Sequence, residues 1–166
     1  MIRVSLLAVF ALFVVSQRIN LSDSPDGTHD NTEMGMSVFL PKDVKWTDAP
    51  PSLPRGAKIA VLEGDPNNTA PFVFRVKLPD GYLIPPHTHA KVERITVVSG
   101  VFHVGMGDRF ERTKTVAMPA GTYGYWPAGM KHFVWADGET IIQFHGTGPW
   151  SIQYVHPDDD PRRAKR

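Results

Sequence analysis

The sequence contains no cysteine. That excludes a disulfide framework, a lipoprotein anchor and any thiolate metal ligand. An excess of one charge is also missing, since 18 Lys and Arg against 17 Asp and Glu leave a net charge of +1. Without a basic stripe, and without basic residues interleaved with aromatics, nucleic acid is not an expected partner. The basic end Arg162-Arg-Ala-Lys-Arg166 follows acidic Asp158-Asp-Asp160, so residues 158–166 read as a solvated, charged tail. No segment holds a helical period, and no Ser/His/Asp constellation or phosphate-binding glycine loop occurs, which argues against helical, hydrolase and nucleotide-binding readings.

A long hydrophobic run is lacking too. The apolar stretch Val4 to Val15, broken only by Ser5, is too short for a bilayer, which takes about 20 residues. Behind the positive Met1-Ile-Arg3 it suits a signal peptide (residues 1–16), with cleavage near Ser16-Gln17. The expected location is therefore secreted or periplasmic, with no stable membrane span after cleavage. Residues 17–45 are polar and read as a flexible leader. His29, Met34 and Met36 within it are better explained as solvated residues than as a copper site. Residues 46–157 then form one domain, entered through an extended arm with prolines at 50, 51 and 54 that is expected to pack across it.

Within that domain the pattern is of short strands. Phe72, Phe74, Val76 and Leu78 alternate with Arg75 and Lys77, the mark of a strand with one buried and one wet face. Lys58–Glu63, Arg94–Val98, Val101–Met106, Thr115–Met118, Tyr123–Trp126, His132–Trp135, Glu139–His145 and Ser151–Val155 follow the same style. Ser99-Gly100 reads as a turn, and Asp137-Gly138 as the strongest hairpin signal in the chain. Many short strands with Gly and Pro punctuation indicate a sandwich or barrel.

Four residues stand out chemically. His87 and His89 are two apart, so on a strand both rings leave one face, suiting two adjacent ligands on one ion. Glu93 lies too far along a straight strand to join them, at roughly 13 Å from His89. The chain is therefore expected to turn at Ala90-Lys91-Val92, a hairpin-like connection, with Glu93 opening the neighbouring strand. His132 follows the turn signature Pro127-Ala-Gly129, which would hold its imidazole at a fixed angle.

The stretch from Gly81 through His87, His89 and Glu93 to Gly100 resembles the first motif of the cupin superfamily, matching at every defined position. Gly121, Pro127, Gly129 and His132 resemble the second motif, which departs only in carrying Ala136 where the pattern ends in asparagine, a position that is not a ligand. The twenty residues between the motifs, Val101–Ala120, suit a small single-domain cupin. The resemblance spans roughly Ile59–Val155 and implies an all-β, double-stranded β-helix, a conical barrel or jelly roll. It implies one divalent metal per chain, held by His87, His89, Glu93 and His132.

Three imidazoles and one carboxylate suit Mn, Fe, Ni, Co or Zn, and leave two positions open on a six-coordinate ion. Such an ion can act as Lewis acid, template or redox centre. Gln143 and His145 share a strand face, and if that face lined the cavity His145 would be a general acid or base and Gln143 a substrate-orienting donor. The expectation is an exported, dioxygenase-like metal oxidoreductase acting on a small oxygenated organic substrate, with a homodimer possible. The alternatives are a non-catalytic module binding a metal or small ligand, and a cupin isomerase or lyase.

Overall fold

The structure, a computed structural model, describes residues 35–163. The expected signal peptide, His29 and Met34 lie outside them. Of the described residues, 39–163 belong to one compact unit. Nine strands carry it: β1 (Thr47–Asp48), β2 (Lys58–Glu63), β3 (Pro71–Leu78), β4 (Leu83–Thr88), β5 (Glu93–Met106), β6 (Thr115–Pro119), β7 (Tyr123–Trp126), β8 (His132–Thr147) and β9 (Gln153–Tyr154). Among the described residues the only helical elements are two 3-10 turns, Pro41–Asp43 and Pro157–Asp159.

Every strand pair is antiparallel, in the order β1-β2-β3-β8-β4-β9, with β5 pairing β6, β7 and β8. β8 organises the rest. Its first half pairs with β4 on one edge and with the second half of β5 on the other. Its second half pairs with β3 on one edge and the first half of β5 on the other. Curling this sheet around a single interior gives the double-stranded β-helix.

Two turns expected from the sequence are bends within continuous strands. β5 runs through Ser99-Gly100 and β8 runs through Asp137-Gly138, and the two irregularities face each other, since Ser99 pairs with Ile141 and Val101 with Asp137. Gly100 and Gly138 have φ of 76° and 70°, the left-handed region that glycine adopts without steric cost. At Gly100 a Cβ would also stand 2.5 Å from the Glu139 carbonyl oxygen, so no other residue fits this crossing. A hairpin at Asp137-Gly138 would cancel the pairing of both β8 halves with β5, so the long-range ladder overrides the local turn preference.

The interior follows the alternation. Phe72, Phe74, Val76 and Leu78 of β3 are all buried, Phe74 and Leu78 completely. Phe74 stacks on Phe72 and Phe144 with centroids 5.3 and 4.9 Å apart. Ile95, Val97, Val134, Ala136 and Ile142 complete the surrounding core. Ala136, at the motif position usually occupied by asparagine, is fully buried, and its backbone exchanges hydrogen bonds with Tyr82 O (2.9 Å) and Gly81 N (3.0 Å). The arm does reach this interior, placing Leu53 in the core. The tail is less free than its charge suggests, because Arg162 is bidentate to Asp160 at 2.7 Å and donates to Ile152 O.

Candidate metal centre

His87 and His132 are direct cross-strand partners, one on β4 and the other the first residue of β8. His89 lies just past the end of β4, and Glu93 is the first residue of β5. β4 and β5 do not pair, so the link between them is not the expected hairpin. It crosses from one part of the curled sheet to another, and the crossing carries Glu93 back towards the histidines. All four side chains are buried.

The three imidazoles each offer a ligand nitrogen, and these nitrogens lie within 4.8 Å of one another. Glu93 adds its carboxylate, with Oε1 3.2 Å from His89 Nε2 and Oε2 3.2 Å from His132 Nε2. On every ring the other nitrogen is tied to the main chain. Nδ1 of His87 lies 2.7 Å from Pro85 O, that of His89 2.7 Å from Ser151 O, and that of His132 3.0 Å from Met130 O. Carbonyls only accept, so each Nδ1 carries the proton and each Nε2 is left with a lone pair. This is how proteins fix the tautomer of metal-binding histidines.

The turn between Pro127 and Gly129 anchors two of these rings. Gly129 N donates to His89 O at 2.9 Å, and Met130, held by its own bond to Pro127 O, supplies the carbonyl for His132. The indole of Trp126, Glu93's cross-strand partner, donates to Glu93 Oε2 and lies 3.1 Å from His132 Nε2. Trp126 thus holds the carboxylate. Its parity opposite Glu93 is the signal that could have revealed this in the sequence.

Electrostatics follow from burial. Burial, reinforced by the neighbouring His132 and His89, pushes His87 down to about 3, so it presents a free lone pair at neutral pH. His89 is also opposed by burial, but the Glu93 carboxylate outweighs this and raises it. Burial alone would raise Glu93; His89 and His132 instead hold it well below the usual carboxylate range. His89 Nε2 is buried and makes no hydrogen bond, although Glu93 Oε1 lies 3.2 Å away. A buried, orphaned lone pair beside two others and a carboxylate fits a divalent cation, which N and O donors of this kind hold.

The chamber beside the cluster is about 20 Å³, room for a water molecule or a ligand of two or three heavy atoms. Apart from the four cluster residues and the indoles of Trp126 and Trp150, its walls are aliphatic and phenyl groups. Trp150, which the sequence did not single out, lies with its ring 5.5 Å from His89.

Gln143 and His145 are not brought to this chamber. The wall is formed by Ile142 and Phe144, which alternate with them, so both point to the outer face. There Gln143 accepts a hydrogen bond from Arg75 Nε at 3.0 Å, and His145 stacks on Tyr123 with centroids 6.0 Å apart. The expected roles of His145 as acid or base and of Gln143 as substrate-orienting donor therefore fall away: the barrel interior is the apolar face of β8. His103 is also outside, stacked at 3.8 Å on Trp135, whose ring carries the Arg112 guanidinium, also at 3.8 Å.

The sequence profile of the ChrR cupin-like domain matches residues 34–151. The chain belongs to this cupin family. No curated protein sequence matches it. Among solved structures, this cupin is similar to the polyketide cyclase RemF from Streptomyces resistomycificus, at 18% identity and a TM-score of 0.62, over 76% of this chain and 89% of that one. It is similar to KdgF from a Halomonas species, at 20% identity and a TM-score of 0.51, over 68% and 94% of the two chains. An RmlC-like cupin from Shewanella frigidimarina matches at 16% identity and a TM-score of 0.51, over 66% and 87%. At these identities the likeness is one of fold. Among the described residues, no helix is long and apolar enough to cross a membrane.

Proposed function

We propose that this cupin binds one divalent metal ion through His87, His89, His132 and Glu93, in a closed site that takes a ligand of only a few atoms. One observation carries the reading: each of the three rings has its Nδ1 committed to a main-chain carbonyl, which leaves three Nε2 lone pairs facing a common point. A bound ion would supply Lewis acidity or, if redox-active, electrons. The chain's own part is to hold three neutral donors and one anion, fix them through carbonyls and Trp126, and exclude bulk water. Among the described residues lining the chamber, no titratable group lies outside the ligand set, so proton transfer by a dedicated side chain is not built in. This favours a module that binds a metal and small ligand.

The dioxygenase-like reading, the leading expectation from the sequence, becomes the second. It is favoured by the apolar walls, which suit a small neutral molecule such as dioxygen, but a carbon substrate needs more space than about 20 Å³. The N-terminal stretch Met1–Val15 supports export, which N-terminal sequencing of protein from the host's extracytoplasmic fraction tests by a start near Gln17.

The metal reading is tested by titrating chelator-treated protein with Co(II), Zn(II) and Mn(II) in a calorimeter. One ion per chain is expected, with affinity reduced in Glu93→Gln, which removes the one anionic donor. The metal-free variant should melt close to the metal-free parent. Unchanged stoichiometry and affinity in the variant, together with no shift in melting on adding metal, would defeat the reading.

A further inference from the structure

We infer that Leu53 is the plug that determines which ligands reach the histidine cluster; the inference rests on the metal-binding reading above. Two cavities meet at this residue. One is the chamber of about 20 Å³ at the cluster, and the other an outer vestibule of about 460 Å³ beneath the proline-rich arm. Among the described residues lining the two, Leu53 is the one in common. Its side chain is buried in the core, although the arm that carries it forms the wall of the vestibule.

The arm holds Leu53 in place from both sides. Ser52 O accepts a hydrogen bond from the Tyr154 hydroxyl at 2.9 Å, and Pro54 O accepts one from the Tyr82 hydroxyl. Within the arm, Leu53 N donates to Pro50 O at 2.9 Å and Ala49 N to Ala57 O at 3.1 Å. Pro50, Pro51 and Pro54 restrict the remaining backbone freedom. The Tyr154 ring lies 6.2 Å from His87, and Tyr82 directly precedes β4, the strand that carries His87. The two phenols therefore clamp the carbonyls that flank the plug, and the elements that supply them also carry or touch the metal ligands.

The consequence is a size limit. With Leu53 seated, a ligand on the ion is limited to water, hydroxide or a molecule of two or three heavy atoms. With Leu53 removed, the chamber joins the vestibule, and a larger chelating anion can reach the cluster. A second, smaller recess of about 10 Å³ meets His89 and Glu93 from the side of Lys91, past Trp150, and offers the competing route.

The test uses the full chain loaded with Co(II), whose visible spectrum reports ligands on the ion, and two probes, azide and 4-nitrocatechol. The parent should bind azide and not 4-nitrocatechol. Leu53→Ala should bind both, with at least a tenfold gain for 4-nitrocatechol and little change for azide. The double variant Tyr82→Phe/Tyr154→Phe keeps Leu53 and its packing, removes the clamp, and should show a smaller gain of the same kind. Equal 4-nitrocatechol affinity in parent and both variants, or a gain produced by Trp150→Ala in place of Leu53→Ala, would overturn the plug. If cobalt does not bind at all, the metal reading fails by itself. The plug is then judged on metal-free protein by diethyl pyrocarbonate labelling of His87, His89 and His132, mapped by mass spectrometry. Faster labelling in Leu53→Ala supports it, and equal labelling overturns it.

Discussion

His132 and His145 lie on the same strand and have opposite fates. His132 begins β8, is almost fully buried, and has Nδ1 on the Met130 carbonyl and Nε2 beside Glu93 in the cluster. His145, near the other end, looks outward and stacks on an exposed tyrosine. Neither residue type nor strand decides the difference; parity does. Val134, Ala136, Ile142 and Phe144 keep the inward face across the Asp137-Gly138 bend, and His145 falls on the other phase. An imidazole becomes a metal-ligand candidate here when its phase turns it inward and a carbonyl is waiting for its second nitrogen.

The sharpest way to break that contrast is to remove each imidazole in turn. His132→Ala should abolish metal binding in calorimetry, and with it the melting-temperature gain, which corresponds to about 2.7 kcal/mol at a free metal concentration 100-fold above the dissociation constant. His145→Ala should leave both unchanged. Equal losses in the two variants would end the distinction between the faces.

The next effect is smaller and tests the support around the donors. Trp126→Phe keeps the ring but loses the N–H that holds Glu93 and reaches His132. Metal affinity should fall about 10- to 100-fold, as is usual when a group orienting a ligand is lost. Affinity within twofold of the parent would show that Glu93 is held without it.

Acidity provides a third test, on metal-free protein. Folded His87 stays neutral down to about pH 3, whereas in the unfolded chain it takes up its proton near 6.5. Between those values the unfolded state binds more protons, so stability is lost as pH falls, by up to about 1.4 kcal/mol per pH unit. His89 runs the other way: its raised value adds stability below the unfolded value, lost as pH rises through the folded one. Stability of the metal-free protein should therefore peak near pH 6.5, and His87→Gln should flatten the acid side. An acid side as steep in the variant would assign the loss to other groups.

The smallest expected effect is on the outer face. Gln143→Ala loses one hydrogen bond to Arg75, so urea denaturation should show a loss of about 0.5–1.5 kcal/mol with no change in metal affinity. Any weakening of metal binding would mean that the outer face communicates with the chamber.

Much of this could be read in advance, for a physical reason. Strands with one wet face record their phase in every second residue, so β3 was visible from Phe72 to Leu78, and β2 and β7 end where the pattern ends. The four cluster residues were visible because a shared ion demands donor types at constrained spacings. What local pattern could not decide were the non-local choices. Ser99-Gly100 and Asp137-Gly138 satisfy the same backbone demand in a turn or in a bend, and only the β5–β8 ladder selects the bend. The alternation of Gln143 and His145 was plain, but which phase faced inward depended on the barrel's closure. Leu53 and Trp150 carry no local mark at all, since their positions at the cavity come from packing.

The paired bend of β5 and β8 also bears on when the site comes into being. That ladder joins Met106 to His132 and Ile95 to Phe144, residues far apart in the chain, and such pairings close slowly because loop entropy must be lost first. His132 takes its place only when β8 has found both β4 and β5, and Glu93 only when β5 has found β7. A nascent or partly folded chain therefore offers an ion at most the local His87/His89 pair, without His132 or Glu93. On the metal-binding reading, the complete donor set is available only in a finished barrel, so the ion would seal that barrel rather than seed it.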